Sequence, residues 1–149
     1  MNVTKIIKNI LKPSVVIGDN YMHRWHLVPR NRFFNIYLHH YIGSDTDRHM
    51  HDHPWPSVSV TLKGQVIDVH PYVYTGLYTA PDILENPVRV PMPWLRPVYR
   101  SADHVHRVEI ERDTWTLFIT GRKCKEWYFI CDNGQRIHWK EYVMNGCGS

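Results

Sequence analysis

The stretch "DRHMHDHPW" at 48–56 sets three histidines at alternate positions, His49, His51 and His53, and closes with Pro54. Side chains two apart on a strand share a face, so three imidazoles point at one surface. A core strand would have to satisfy three polar rings, and a solvated strand gains nothing from them. The spacing therefore predicts a strand that offers nitrogen ligands to something on that face. By the same alternation Met50 and Asp52 face the other way. Asp52 is then expected to stay off any metal, and Met50 to pack into the apolar body or against a neighbouring subunit.

Period-2 patterning continues along most of the chain. "FNIYLHHYI" (34–42) reads as a strand, and "SVSVTL" (57–62) alternates Ser or Thr with Val or Leu as a half-buried strand does, ending at a "KG" turn. "QVIDVHPYVY" returns as the second arm of a hairpin. Pro-rich "TAPDILENPVRVPMPW" is a long connection with room for an edge strand. "RPVYR", "HRVEI", "TWTLFIT" and "EWYFI" are further strands, and "RIHWKEYV" is a strand or a short helix. About eight short strands at regular spacing predict a sandwich or jelly roll in one all-β domain. The 149 residues suit one core, and ten Pro, six Trp and nine Tyr argue against a helical bundle. The exception is the start, where Ile6, Ile7, Ile10 and Leu11 lie on one helical face. Residues 1–13 are expected to form a short amphipathic N-terminal helix, neither leader nor membrane span, ahead of a domain over 14–149.

A net charge of +4 brings nucleic acid into consideration. The basic residues are scattered among acids, however, with no nucleic-acid-binding motif, and read as a solvated surface. Cys124, Cys131 and Cys147 are odd in number and lack zinc-knuckle spacing. They are expected to be free thiols in a reducing, cytoplasmic setting.

A mononuclear metal centre in a β-fold needs a third ligand from a distant strand. "SADHVHRVEI" (101–110) supplies His104 and His106, and His106 stands where the alternation of Val108 and Ile110 begins. His51, His53 and His106 are therefore the expected metal ligands. His49 and His104 lie on the same faces and are candidates to orient a ligand or to meet the substrate, and Asp68 on the strand after Gly64 is a candidate to face the metal, to orient a ligand or to face solvent.

These segments resemble the two motifs of the cupin superfamily. "HDHPWPSVSVTLKG" is similar to the first, and "SADHVH" to the second, with Ser101 and Asp103 where Pro and Gly are usual. Asp103 suits a left-handed turn residue. Ser57 or Val58 occupies the place of the first motif's Glu, so the resemblance implies a three-His site. Three-His cupins include the cysteine dioxygenase-like thiol dioxygenases, which "HDH" (51–53), "LKG" (62–64) and "HRVEI" (106–110) resemble. A group of uncharacterised bacterial and phage cupins with an HDHPW motif is also similar at Trp115, Thr116, Leu117, Thr120, Gly121 and Trp127.

The resemblance implies a double-stranded β-helix and a divalent ion, with Fe(II) favoured and Zn, Ni or Mn accepted by the same imidazoles. It implies an oxygenase acting on a small anionic molecule held by Arg24 or Arg30, with Arg32 a third candidate. An isomerase or hydrolase for a sugar or nucleotide and a non-catalytic binding module are the alternatives. A small-molecule substrate is the expected partner, without a membrane, and homodimerisation is left open.

Overall fold

The structure, a computed structural model, describes residues 12–17, 21–43, 49–71 and 87–147. Twelve strands lie in these segments: β1 (Val15–Ile17), β2 (Met22–His26), β3 (Asn35–Tyr41), β4 (Met50–His51), β5 (Ser57–Lys63), β6 (Val66–His70), β7 (Val88–Pro91), β8 (Pro97–Arg100), β9 (Arg107–Ile110), β10 (Thr114–Thr120), β11 (Tyr128–Ile130) and β12 (Arg136–His138). They form a six-stranded sheet, β1-β2-β3-β10-β5-β8, and two three-stranded sheets, β12-β11-β4 and β7-β6-β9. Every strand pairing is antiparallel. The all-β expectation holds, with more and shorter strands than the periodicity alone separates.

The helix lies at the other end of the chain from the one expected. Among the described residues it is α1 (Trp139–Asn145), near the C-terminus, which corrects the expected fold of strands behind an N-terminal helix. Local chemistry places it there. His138 stays extended and accepts the Lys140 N–H, Glu141 sits in the first turn, and Gly146 at φ 60° ends the helix with its N–H on Tyr142 O. "RIHWKEYV" is thus strand and then helix. Residues 1–11 lie outside the described residues, and Lys12 and Pro13 are not helical.

The cysteine expectation is also corrected. Cys131 and Cys147 form a disulfide across 16 residues, and Cys124 alone is a free, exposed thiol. The bond removes the free-thiol argument for a reducing compartment. No described helix is long and apolar enough to cross a membrane.

Two apolar clusters join the sheets. Met50, Val69, Val105 and Ile130 pack β4, β6 and β11 together with Ile67. Val66, Met92 and Ile110 pack β6 and β9 against Tyr41 and Val98 of the large sheet. Met50 is therefore inside, as the alternation requires. On β5, by contrast, Ser57, Ser59 and Thr61 are the buried residues, and Val58, Val60 and Leu62 are half-buried. Register continues this hydroxyl row onto β10, where Thr116 faces Thr61 and Thr120 faces Ser57. The inner face of the large sheet is polar.

The turn between β5 and β6 depends on Gly64. Its φ is +79°, and an added Cβ would sit 2.2 Å from Thr114 Oγ1 and 2.9 Å from Thr114 Cα. Thr114 cannot yield, because its hydroxyl donates to Glu111 O at 2.7 Å and accepts from Gln65 N at 3.2 Å. Gly64→Ala is expected to destabilise the fold by about 2–4 kcal/mol in urea unfolding, from left-handed backbone cost plus overpacking. Gly43→Ala, whose Cβ meets nothing within 4 Å, should shift stability by no more than about 0.5 kcal/mol.

Candidate metal centre

His51 ends the two-residue strand β4, and His53 follows it through Asp52. His106 arrives from the chain entering β9 and locks to His51 by a two-way backbone bridge, N to O 2.9 Å one way and 3.0 Å the other. His53 N donates to Ala102 O at 3.2 Å, which holds the 101–106 segment alongside. The three rings stand 5.0–5.7 Å apart between centroids. His53 Nε2 and His106 Nε2 converge to 2.9 Å, and the three residues offer ring nitrogens all within 4.8 Å of one another.

Behind His106 lies Asp68 of β6. His106 Nδ1 is hydrogen-bonded to Asp68 Oδ1, and His104 Nε2 reaches Oδ2 at 2.9 Å. Arg100, buried on β8, places Nη2 3.3 Å from Oδ1 and Nε 3.4 Å from Oδ2, while its Nη1 donates to Ser59 Oγ at 3.0 Å. Burial works to raise the Asp68 pKa, but the two histidine hydrogen bonds and Arg100 outweigh it and hold the carboxylate well below its usual range. An ionised Asp68 accepts the Nδ1 proton of His106 and so leaves Nε2 as its lone-pair nitrogen. His51 Nδ1 lies 3.2 Å from His49 O, which sets the same tautomer.

Burial lowers the pKa of His106 and, with the neighbouring histidines, pushes that of His53 well below its ordinary value. Both rings are neutral at pH 7 and carry lone pairs, the form a metal binds. Aromatic rings wall this cluster: Trp127 lies parallel to His53 at 6.5 Å, Phe129 is 5.1 Å from His51, and Trp139 stacks on Trp127 at 5.8 Å.

Asp52 stays away from these nitrogens. It is 1% exposed, accepting Tyr128 N at 2.7 Å, Lys125 Nζ at 2.7 Å and Arg136 Nη2 at 3.0 Å. Asp103 does not take a left-handed conformation; its carboxylate meets Lys125 at 2.6 Å instead. His49 lies apart from the cluster with its Nδ1 on the Tyr142 hydroxyl at 2.8 Å. Arg30 and Arg32 are exposed. Arg24 points inward from β2, donating from Nε to His39 Nε2 at 2.9 Å, with its guanidinium 4.7 Å from the Tyr37 ring centre. Among the described residues no carboxylate pairs with it. Sequence alone does not single out Arg100, because its place opposite Ser57 arises only when β8 pairs with β5.

No protein-family model and no curated protein matches the chain. Solved structures do. A cupin superfamily protein from Desulfitobacterium hafniense shares 11% identity over 73% of this chain and 84% of its own, at TM-score 0.50. Iron(II) HppE shares 13% over 75% of this chain and 56% of its own, at TM-score 0.54. Hydroxypropylphosphonic acid epoxidase from S. wedmorenis, in complex with fosfomycin, shares 12% over 72% and 54%, at TM-score 0.50. The chain spans about half the length of these last two. The likeness is one of fold: the chain has a cupin-like fold, and it carries candidate His/Asp metal-binding clusters.

Two outcomes follow from these contacts. Asp52→Ala should cost about 2–3 kcal/mol in urea unfolding, below the ~3–5 kcal/mol of a wholly buried pair because Lys125 and Arg136 reach solvent. Asp52→Asn should cost less, and both should keep metal affinity within about threefold; loss of metal from Asp52→Asn would place the carboxylate in the site. His39 supplies the second. Burial, then Arg24, lowers its pKa from 6.5 to about 3. The unfolded chain takes up this proton first as pH falls, so the stability is present above 6.5 and is lost on the way down to about 3. Urea unfolding of His39→Phe between pH 7 and 4 should show a pH slope shallower by up to one proton, about 1.4 kcal/mol per pH unit. An unchanged slope would contradict a neutral buried His39.

Proposed function

We propose that the chain is a metal-dependent enzyme in which His51, His53 and His106 hold a divalent ion, Fe(II) before Zn, Ni or Mn, and that it oxidises a small anionic molecule with dioxygen. The observation that carries this reading is the convergence of three ring nitrogens, with Asp68 fixing the tautomer of His106. Three imidazole nitrogens suit such an ion, which when bound would supply one centre where substrate and oxidant meet. The half-buried Arg24 supports an anionic substrate, because among the described residues its guanidinium meets an imidazole and an aromatic ring and no carboxylate, which favours an acid brought from outside. HppE is described with iron(II), and the S. wedmorenis enzyme as an epoxidase of a phosphonic acid, which is consistent with this choice. Arg30, exposed at the surface, is the second candidate to meet the anion.

Purified protein loaded with Fe(II) under nitrogen and then given oxygen tests the reading. With small thiol, carboxylic or phosphonic acids it should consume oxygen. His51→Ala, His53→Ala and His106→Ala should each abolish tight metal binding, and Asp68→Asn should weaken it about 10–100-fold. Arg24→Gln should raise KM for the acid by about 10–100-fold, the worth of a charged hydrogen bond of ~1.5–3 kcal/mol. Full metal occupancy in a His51/His53 double variant, or turnover under nitrogen with no oxygen uptake, would refute the assignment.

A further inference from the structure

His49 opens the alternating histidines and does not join the cluster they form; its contacts lie elsewhere in the fold. Its Nδ1 meets the Tyr142 hydroxyl at 2.8 Å, its Nε2 lies 3.8 Å from the Asp132 carboxylate, and its carbonyl meets His51 Nδ1 at 3.2 Å. The residue whose carbonyl meets His51 is thus itself held, through its ring, by a side chain of α1. A second route runs through stacked rings. Tyr142 lies on Phe129 at 3.7 Å and 11°, and Phe129 is the cross-strand neighbour of His51.

The helix that delivers Tyr142 is weakly anchored by itself. It has seven residues, none of them buried, and Val143 and Met144 are more than 70% exposed. So short a helix does not persist alone. Its first end continues from β12, and its last end is fixed by Cys147, which follows the Gly146 cap and is bonded to Cys131. Cys131 in turn directly follows β11, whose Phe129 and Ile130 pair with His51 and Met50. One covalent bond therefore ties the far end of α1 to the strand beside the metal ligand.

We propose that the Cys131–Cys147 disulfide and Tyr142 form a redox-responsive clasp that positions His51 and so tunes the affinity of the centre for its metal. The proposal rests on His51 being a ligand. A dithiol reductant supplies two electrons and two protons: the S–S bond breaks, two S–H bonds form, and the dithiol closes to its own disulfide. With the bond open, α1 frays from its C-terminal end, Tyr142 leaves His49 and Phe129, and the His51 ring loses its fixed orientation. Tyr142 acts through His49 and is a positioning residue.

The test uses the full chain carrying Cys124→Ser, so that the remaining thiols report this pair alone. Co(II) is the probe, read by its visible spectrum against a competing chelator, with hydrogen exchange of residues 139–147 followed in parallel. The oxidised protein is compared with Cys131→Ser/Cys147→Ser, with Tyr142→Phe, and with protein reduced by a dithiol that is removed before metal is added. Opening the bond should speed exchange across α1, change the Co(II) spectrum and weaken affinity about tenfold, at the lower edge of what outer partners of metal-bound histidines contribute. Tyr142→Phe should keep the disulfide and slow exchange, yet weaken Co(II) about threefold, and reoxidation should restore the reduced protein. Co(II) binding that ignores both the disulfide and Tyr142 overturns the clasp while leaving the centre standing. Absence of Co(II) binding in every form overturns the centre and the clasp together.

Discussion

A buried carboxylate that must stay ionised organises this molecule. Asp68 sits on β6 among groups that each neutralise or orient it: Arg100 from β8, His104 and His106 from the segment entering β9. Removing a charge from water costs several kcal/mol unless it is paired and hydrogen-bonded, so these partners cannot be exchanged for apolar ones singly. Their presence joins the six-stranded sheet to the β7-β6-β9 sheet by ionic contact, beside the apolar packing of Val66, Met92 and Ile110. It also leaves His106 a single orientation, with its Nε2 toward His53.

The polar interior follows from that choice. A half-buried antiparallel strand ordinarily turns its apolar face inward, yet β5 buries Ser57, Ser59 and Thr61. Ser59 takes a hydrogen bond from Arg100, which a valine there could not accept. Among the described residues Thr61 Oγ1 is buried with no hydrogen-bond partner, a cost the apolar alternative would have avoided. A fold that placed stability first would have put Val58 and Val60 inside. This one turns hydroxyls and imidazoles inward and buries the Arg100 guanidinium among them.

That reversal marks where the sequence was legible. Period 2 located β3, β5, β8, β9 and β10 within a residue or two, because alternation is a local signal. It could not say which face of β5 is inside, since that depends on Arg100, distant in sequence and adjacent only after β5 and β8 pair. The proximity of the three rings was readable because His51 and His53 lie two apart at the end of one strand and His106 leads into another. The Cys131–Cys147 bond was not, because a 16-residue separation at the chain's end carries no spacing rule, and their proximity arises only once α1 folds back on β11. The histidine alternation was itself half right. Met50 and Asp52 do turn away from the cluster, but β4 is only two residues long, and His49 before it swings to Tyr142.

His106 belongs to two groups that could each hold a cation, one with His51 and His53 on its Nε2 side and one with Asp68 and His104 on its Nδ1 side. They are not equivalent. On the Nδ1 side the carboxylate already has the Arg100 guanidinium at 3.3 Å, so a divalent ion there would face a fixed positive charge and compete for oxygens already in use. On the Nε2 side the donors are imidazole nitrogens alone. An ion at that place would also strengthen the other side, because drawing electron density from Nε2 would make the Nδ1 proton a better donor to Asp68. The two groups would then work as one device: the carboxylate half would supply order and negative charge at a distance, and the imidazole half the lone pairs.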